Sequence, residues 1–94
     1  MLTSGKYIAE HNEGHFDRYK IIMEVKETEK SYNFTLVEFD SRYSATQIED
    51  FFRKSNKVSI RKDKGGHAMR IWDNEHFTFY PFQAGIPFYF KLIK

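Results

Sequence analysis

Lys57, Arg61, Lys62, Lys64, Arg70 and Trp72 form the densest stretch of recognition chemistry in the chain. Cations of this kind hold phosphate oxygens, and an exposed indole stacks on a nucleobase. In single-strand binders such stacking contributes about 1–3 kcal/mol per base. The wider charge distribution points the same way. Residues 1–50 carry six basic and ten acidic side chains, whereas residues 51–94 carry nine basic and three acidic, so the formal net charge of +2 conceals a basic C-terminal half. That asymmetry suits a surface facing a polyanion. It comes without an RNP sequence, a GxxG clamp, zinc-finger spacing or a helix-turn-helix pattern. The plainer reading is a solvated outward sheet face, since Lys also protects exposed sheet edges from aggregation.

The remaining polar residues do not assemble into a catalytic pattern. His11-Asn12-Glu13-Gly14-His15 sets two histidines four residues apart, but Asn12 stands where a zinc protease has its glutamate and Gly14 disfavours the helix that motif needs. His67 after Gly65-Gly66, and His76 beside Asp73 and Glu75, read as turn residues. Ser41, Ser44, Ser55 and Ser59 lack a nucleophile elbow, and Lys64-Gly65-Gly66 lacks the length and ending of a phosphate-binding loop. Glu49 and Asp50 suit a helix N-terminus. The expectation is a protein that is not an enzyme, with no cofactor and no metal site.

Ten Phe, six Tyr and one Trp among 94 residues are too much large apolar surface for a disordered chain, and the length fits one domain over 1–94. The absence of cysteine removes disulfides, thiolate nucleophiles and cysteine-based metal sites. It also favours a reducing setting. With no signal-peptide pattern at Met1–Lys6, no lipidation motif and no run of about 18 apolar residues, the expected location is cytoplasmic, with no membrane partner.

Hydrophobic periodicity indicates which elements position the basic and aromatic residues. Tyr19, Ile21, Met23 and Val25 alternate with polar neighbours, Glu27–Lys30 form a turn, and Tyr32, Phe34 and Leu36 resume the alternation. This is an antiparallel hairpin with one buried face. A further short strand falls around Lys6 to Ala9. Ser44 with Gln47 forms a capping box, Ile48, Phe51 and Phe52 make one apolar stripe, and Ser55-Asn56 provide a stop, predicting one helix. Beyond it, Val58 and Ile60, Met69 and Ile71, Phe77 and Phe79, and Phe88, Phe90 and Leu92 mark four more strands. The turn Asp63-Lys64-Gly65-Gly66 joins the first two as a hairpin, with Lys57, Ser59, Arg61, Arg70 and Trp72 on its outward face. The order β-β-α-β-β-β-β predicts an α+β domain, a mainly antiparallel sheet with one amphipathic helix packed on it. The alternative is a partly closed small barrel with a helix.

Two functions follow. One is a non-enzymatic binding module for single-stranded nucleic acid, using the basic and aromatic hairpin face. The other is a protein-interaction or inhibitor protein, for example a phage or mobile-element regulator blocking a host protein. The surplus of rings over Phe77–Phe90 (Tyr89 and Ile93 fall on the face opposite Phe88 and Phe90) suits a protein partner or a homodimer.

Overall fold

Alternation of large apolar and polar residues builds a sheet whose inner face is almost wholly aromatic and aliphatic. The computed structural model describes residues 2–11, 19–41, 57–63, 69–80 and 87–94. Within them lie seven strands: β1 (Gly5–His11), β2 (Tyr19–Glu27), β3 (Ser31–Ser41), β4 (Lys57–Arg61), β5 (Met69–Asp73), β6 (His76–Phe79) and β7 (Phe88–Leu92). All pair antiparallel in one sheet of order β4-β3-β2-β1-β7-β6-β5.

The hairpin of β2 and β3 forms where its alternation places it, with Glu27 opposite Tyr32 and Val25 opposite Phe34. Thr28 closes the turn by exchanging backbone and hydroxyl hydrogen bonds with Ser31. Farther along, the ladder slips between Ile22↔Glu38 and Met23↔Leu36, leaving Val37 as an extra residue. Strict alternation from Tyr32, Phe34 and Leu36 would send Glu38 and Asp40 inward. The bulge at Val37 resets the phase so that Phe39 packs against the core and Glu38 and Asp40 stay exposed.

The expected strand near Lys6 to Ala9 runs from Gly5 to His11 and occupies the centre of the sheet, between β2 and β7. The junction of β1 with β7 is a short ladder, Tyr7↔Leu92 and Ile8↔Lys91. One further backbone bond crosses it, from Ile93 to Lys6, and two other bonds flank it. The Tyr7 hydroxyl donates to the carbonyl of Thr3 at 2.6 Å, Leu92 N–H donates to Glu75 O, and Ile93 N–H donates to Lys6 O. At Gly5, φ is +153°, and a Cβ there would stand 3.1 Å from Leu92 Cδ1, so the close approach of the two strands requires glycine.

The sheet curls into a half-barrel. Phe34 of β3 and Phe77 and Phe79 of β6 are four strands apart in the sheet order, about 19 Å if the sheet were flat. Their ring centroids are 5.7 and 5.6 Å apart. Tyr7 meets Phe77 edge-on at 5.2 Å, and Phe77 stacks on Phe90 at 5.0 Å. Tyr7, Ile21, Met23, Val25, Phe34, Phe79 and Phe88 are fully buried in this interior.

The described residues are therefore all-β, which corrects the expectation of an α+β domain with a helix laid on the sheet. The difference lies in how the aromatic face is covered. A flat aromatic face needs a second layer, whereas a curled one buries its rings against rings from the opposite wing. The segment Ser44–Asn56, where the helix was expected, lies outside the described residues. Among those described, no helix is long and apolar enough to cross a membrane.

Because Phe34 bridges the wings, Phe34→Ala should cost about 3–5 kcal/mol. Thr35→Ala on the same strand, half-buried on the other face, should cost far less. Urea unfolding of the two variants measures the difference, and equal losses would mean that the wings do not depend on that ring.

Candidate binding face

Six residues were expected to share one surface. In the structure the five that are described divide between the two edges of the sheet. Lys57 and Arg61 project outward from β4, with Lys62 in the turn that follows, and β4 pairs with β3 (Phe34↔Val58, Tyr32↔Ile60). Arg70 and Trp72 project outward from β5, which pairs with β6. Lys64 lies outside the described residues. The facing was right: Ile60 and Met69 are buried, and Lys57, Ser59, Arg61, Arg70 and Trp72 are exposed. The pairing was not, because among the described residues no ladder joins β4 to β5. A Gly-rich turn signal permits a hairpin without compelling one. Here β5 turns through Asn74-Glu75 into β6, with Asp73 opposite His76, and β4 finds its partner across a longer connection.

At the β4 edge, two of the cations are neutralised locally. Arg61 bonds Asp63 at 3.0 Å. Lys62 lies 3.1 Å from the Glu27 carboxylate and 5.1 Å above the Tyr32 ring. The Lys62 ammonium holds the Glu27 carboxyl below the usual glutamate range, and the Tyr32 hydroxyl adds in the same direction. Folding therefore favours the ionised form of Glu27. Its contribution to stability is complete above the ordinary glutamate range and is lost as pH falls through the lowered folded value. Glu27→Gln should flatten this part of the acid limb. The check is the urea midpoint at neutral pH and across the carboxylate range, where an unchanged acid sensitivity would contradict the coupling.

The β5 edge is different. The Arg70 guanidinium lies 4.0 Å from the Trp72 ring centroid, and the Trp72 indole N–H donates to Thr78 Oγ1 at 2.6 Å. Thr78 is fully buried although its side chain is on the outer face, because the indole covers it. The next strand places Tyr89 directly opposite Thr78. Two large rings thus flank one threonine on the outer face, with Trp72 52% and Tyr89 64% exposed. Among the described residues, neither Arg70 nor Lys91 forms an ion pair. Two of the nearby acids are occupied, as Asp73 accepts from Glu75 N–H at 2.8 Å and contacts His76 Nδ1 at 2.8 Å, and Glu75 bonds Lys94 at 2.9 Å. The Glu75 N–H, with His76 second, lowers the Asp73 pKa.

Tyr89 divides two shallow depressions. One, of about 420 Å³, is lined by Trp72, Asp73, His76 and Tyr89 over the backs of Phe77 and Phe90. The other, of about 320 Å³, lies toward β1 and is lined by Ile8, Glu10, His76, Tyr89 and Lys91. Alternation placed Tyr89 on the outer face. Joining it to Trp72 requires the order β5-β6-β7, and joining it to Glu10 requires β7 beside β1, which no local pattern discloses. His11, one of the two histidines weighed for metal, stacks on Tyr19 at 5.7 Å, and no cluster of three metal-ligating side chains occurs among the described residues. No family model, no curated protein and no solved structure matches this chain.

The indole clamp on Thr78 is separable from the exposed ring. Trp72→Phe keeps an aromatic surface but leaves the buried hydroxyl without its donor, a loss of about 1–3 kcal/mol. Adding Thr78→Val should recover most of it. A double-mutant cycle by thermal or urea unfolding measures the coupling, and additive losses would show that the hydrogen bond contributes nothing.

Proposed function

We propose that this chain is a small non-enzymatic module that binds single-stranded nucleic acid on the outer face of β5, β6 and β7. Trp72 and Tyr89 stack bases, and Arg70 and Lys91 attract the backbone phosphates. The observation that carries the reading is the pair of exposed rings on one face with two cations beside them that have no carboxylate partner among the described residues. The basic run at 57–62 contributes less, because Arg61 and Lys62 already hold carboxylates. Stacking platforms of this kind tolerate every base and track the backbone electrostatically. A cytoplasmic setting, in keeping with a chain that has no cysteine, belongs to the same proposal.

Trp, Tyr and Arg are also the side chains that most often anchor protein interfaces. Their coincidence at Trp72, Tyr89 and Arg70 supports an interaction or inhibitor role as the second reading.

Trp72 is the sole tryptophan, so its fluorescence reports on the site directly. Titration with single-stranded oligonucleotides should quench it, duplex of the same sequence should quench it less, and affinity should fall steeply with salt. Arg70→Ala and Tyr89→Ala should weaken binding more than Arg61→Ala does. No quenching at low salt would overturn the nucleic-acid reading and leave the protein-partner reading in place.

A further inference from the structure

We propose that Glu10 makes this face selective for guanine, by accepting from the Watson–Crick edge of a base stacked on Tyr89. The inference rests on the nucleic-acid reading above and deepens it from a non-specific platform to one with a preferred base.

The argument begins with an unexpected charge. A surface that holds phosphates should carry no free anion, since a carboxylate repels the backbone. Among the described residues, Glu75 is paired with Lys94, and Asp73 is hydrogen-bonded by the Glu75 N–H and by the His76 ring. Glu10 has no such partner among them. It is exposed and forms no ion pair or hydrogen bond with any described residue; Lys20, opposite it on β2, is turned to Glu38 at 3.3 Å. Yet Glu10 lines the same depression as Tyr89 and Lys91.

Register accounts for the placement. Glu10 and Tyr89 lie two residues beyond the last pair of the β1–β7 ladder, Ile8↔Lys91, on their respective strands, and they line one depression. Lys6, Ile8 and Glu10 are on the outer face because Tyr7 and Ala9 are buried. Lys91 is two residues from Tyr89 on β7 and therefore on the same face. A base lying on the Tyr89 ring thus has a carboxylate across the strand and an ammonium along it.

Only one common base matches that pair. Guanine presents an acceptor (O6) followed by two adjacent donors (N1–H and the N2 amino group). Lys91 can donate to the first, and the two oxygens of Glu10 can accept from the other two in a bidentate contact. Adenine and cytosine each place one amino donor beside an acceptor, and uracil sets one N–H between two carbonyls, so each would turn an acceptor toward the carboxylate. Single-strand binders read unstacked bases on this edge, and a bidentate contact of this type discriminates by about tenfold or more.

The test compares short labelled single strands in which isolated guanines are separated by uracils with the same strands carrying inosine or adenine instead. Inosine keeps O6 and N1–H and lacks only the N2 amino group. Anisotropy should show about tenfold tighter binding to the guanine strand than to either analogue. Glu10→Gln should bind the guanine strand more weakly than the wild type, having lost the bidentate contact, should bind the inosine and adenine strands at least as tightly, having lost a repulsive charge, and should no longer prefer guanine. Equal affinity of the wild type for the three strands, or a guanine preference that survives in Glu10→Gln, overturns the assignment while leaving the stacking platform intact. If none of the strands binds, the nucleic-acid reading itself fails.

Discussion

The contact of Phe34 with Phe77 and Phe79 is the constraint on which the rest of the half-barrel depends. It joins strands that are four positions apart in the sheet, and only a strongly coiled sheet brings them together. The same curl that closes the interior spreads the outer face, leaving room for bulky side chains there. Trp72 and Tyr89 lie over the backs of the residues whose neighbours fill the core. Thr78 makes the link explicit, since it sits between buried Phe77 and Phe79 in β6 and hydrogen-bonds the indole outside. Inside and outside are thus organised by one four-residue strand.

Charge counted along the chain and charge available in space are different quantities here. The basic excess of residues 51–94 drew attention to the stretch from Lys57 to Lys64. Folding sets Asp63 and Glu27 against two of those cations. At the other edge, Arg70 lies over an indole. Arginine stacked on an aromatic plane keeps its fork of donors and its weak hydration, so it remains competent toward phosphate in a way that a paired lysine is not.

What could be read from residue types was whatever local alternation decides. The β2–β3 hairpin, the inward facing of Ile60, Met69, Phe77, Phe88 and Phe90, and the outward facing of Trp72 and Tyr89 all follow from period two. What could not be read was adjacency. The Gly-rich stretch after Asp63 suggested that β4 and β5 are partners, yet they are opposite edges. The central position of β1 gave no local sign, because its short, weakly patterned run owes its place to partners at both ends of the chain. The α+β class was overturned through the same gap, as the described strands curl so that the sheet supplies cover of its own. At the binding face, the rings were visible one by one, while their union with Glu10 and Lys91 depended on the β1–β7 junction.

That junction has a kinetic meaning. The ladder between the first and last strands spans nearly the whole sequence and is among the shortest in the sheet. Closing so large a loop carries an entropic penalty that two residue pairs do little to offset, so the junction should form after the β1–β3 and β5–β7 arms have zipped. Until it closes, each arm presents an open strand edge to its own partner arm and, equally well, to the matching arm of another chain. At high concentration during refolding, the route to the half-barrel therefore competes with exchange of arms between molecules, and the product of that exchange would keep every contact described above.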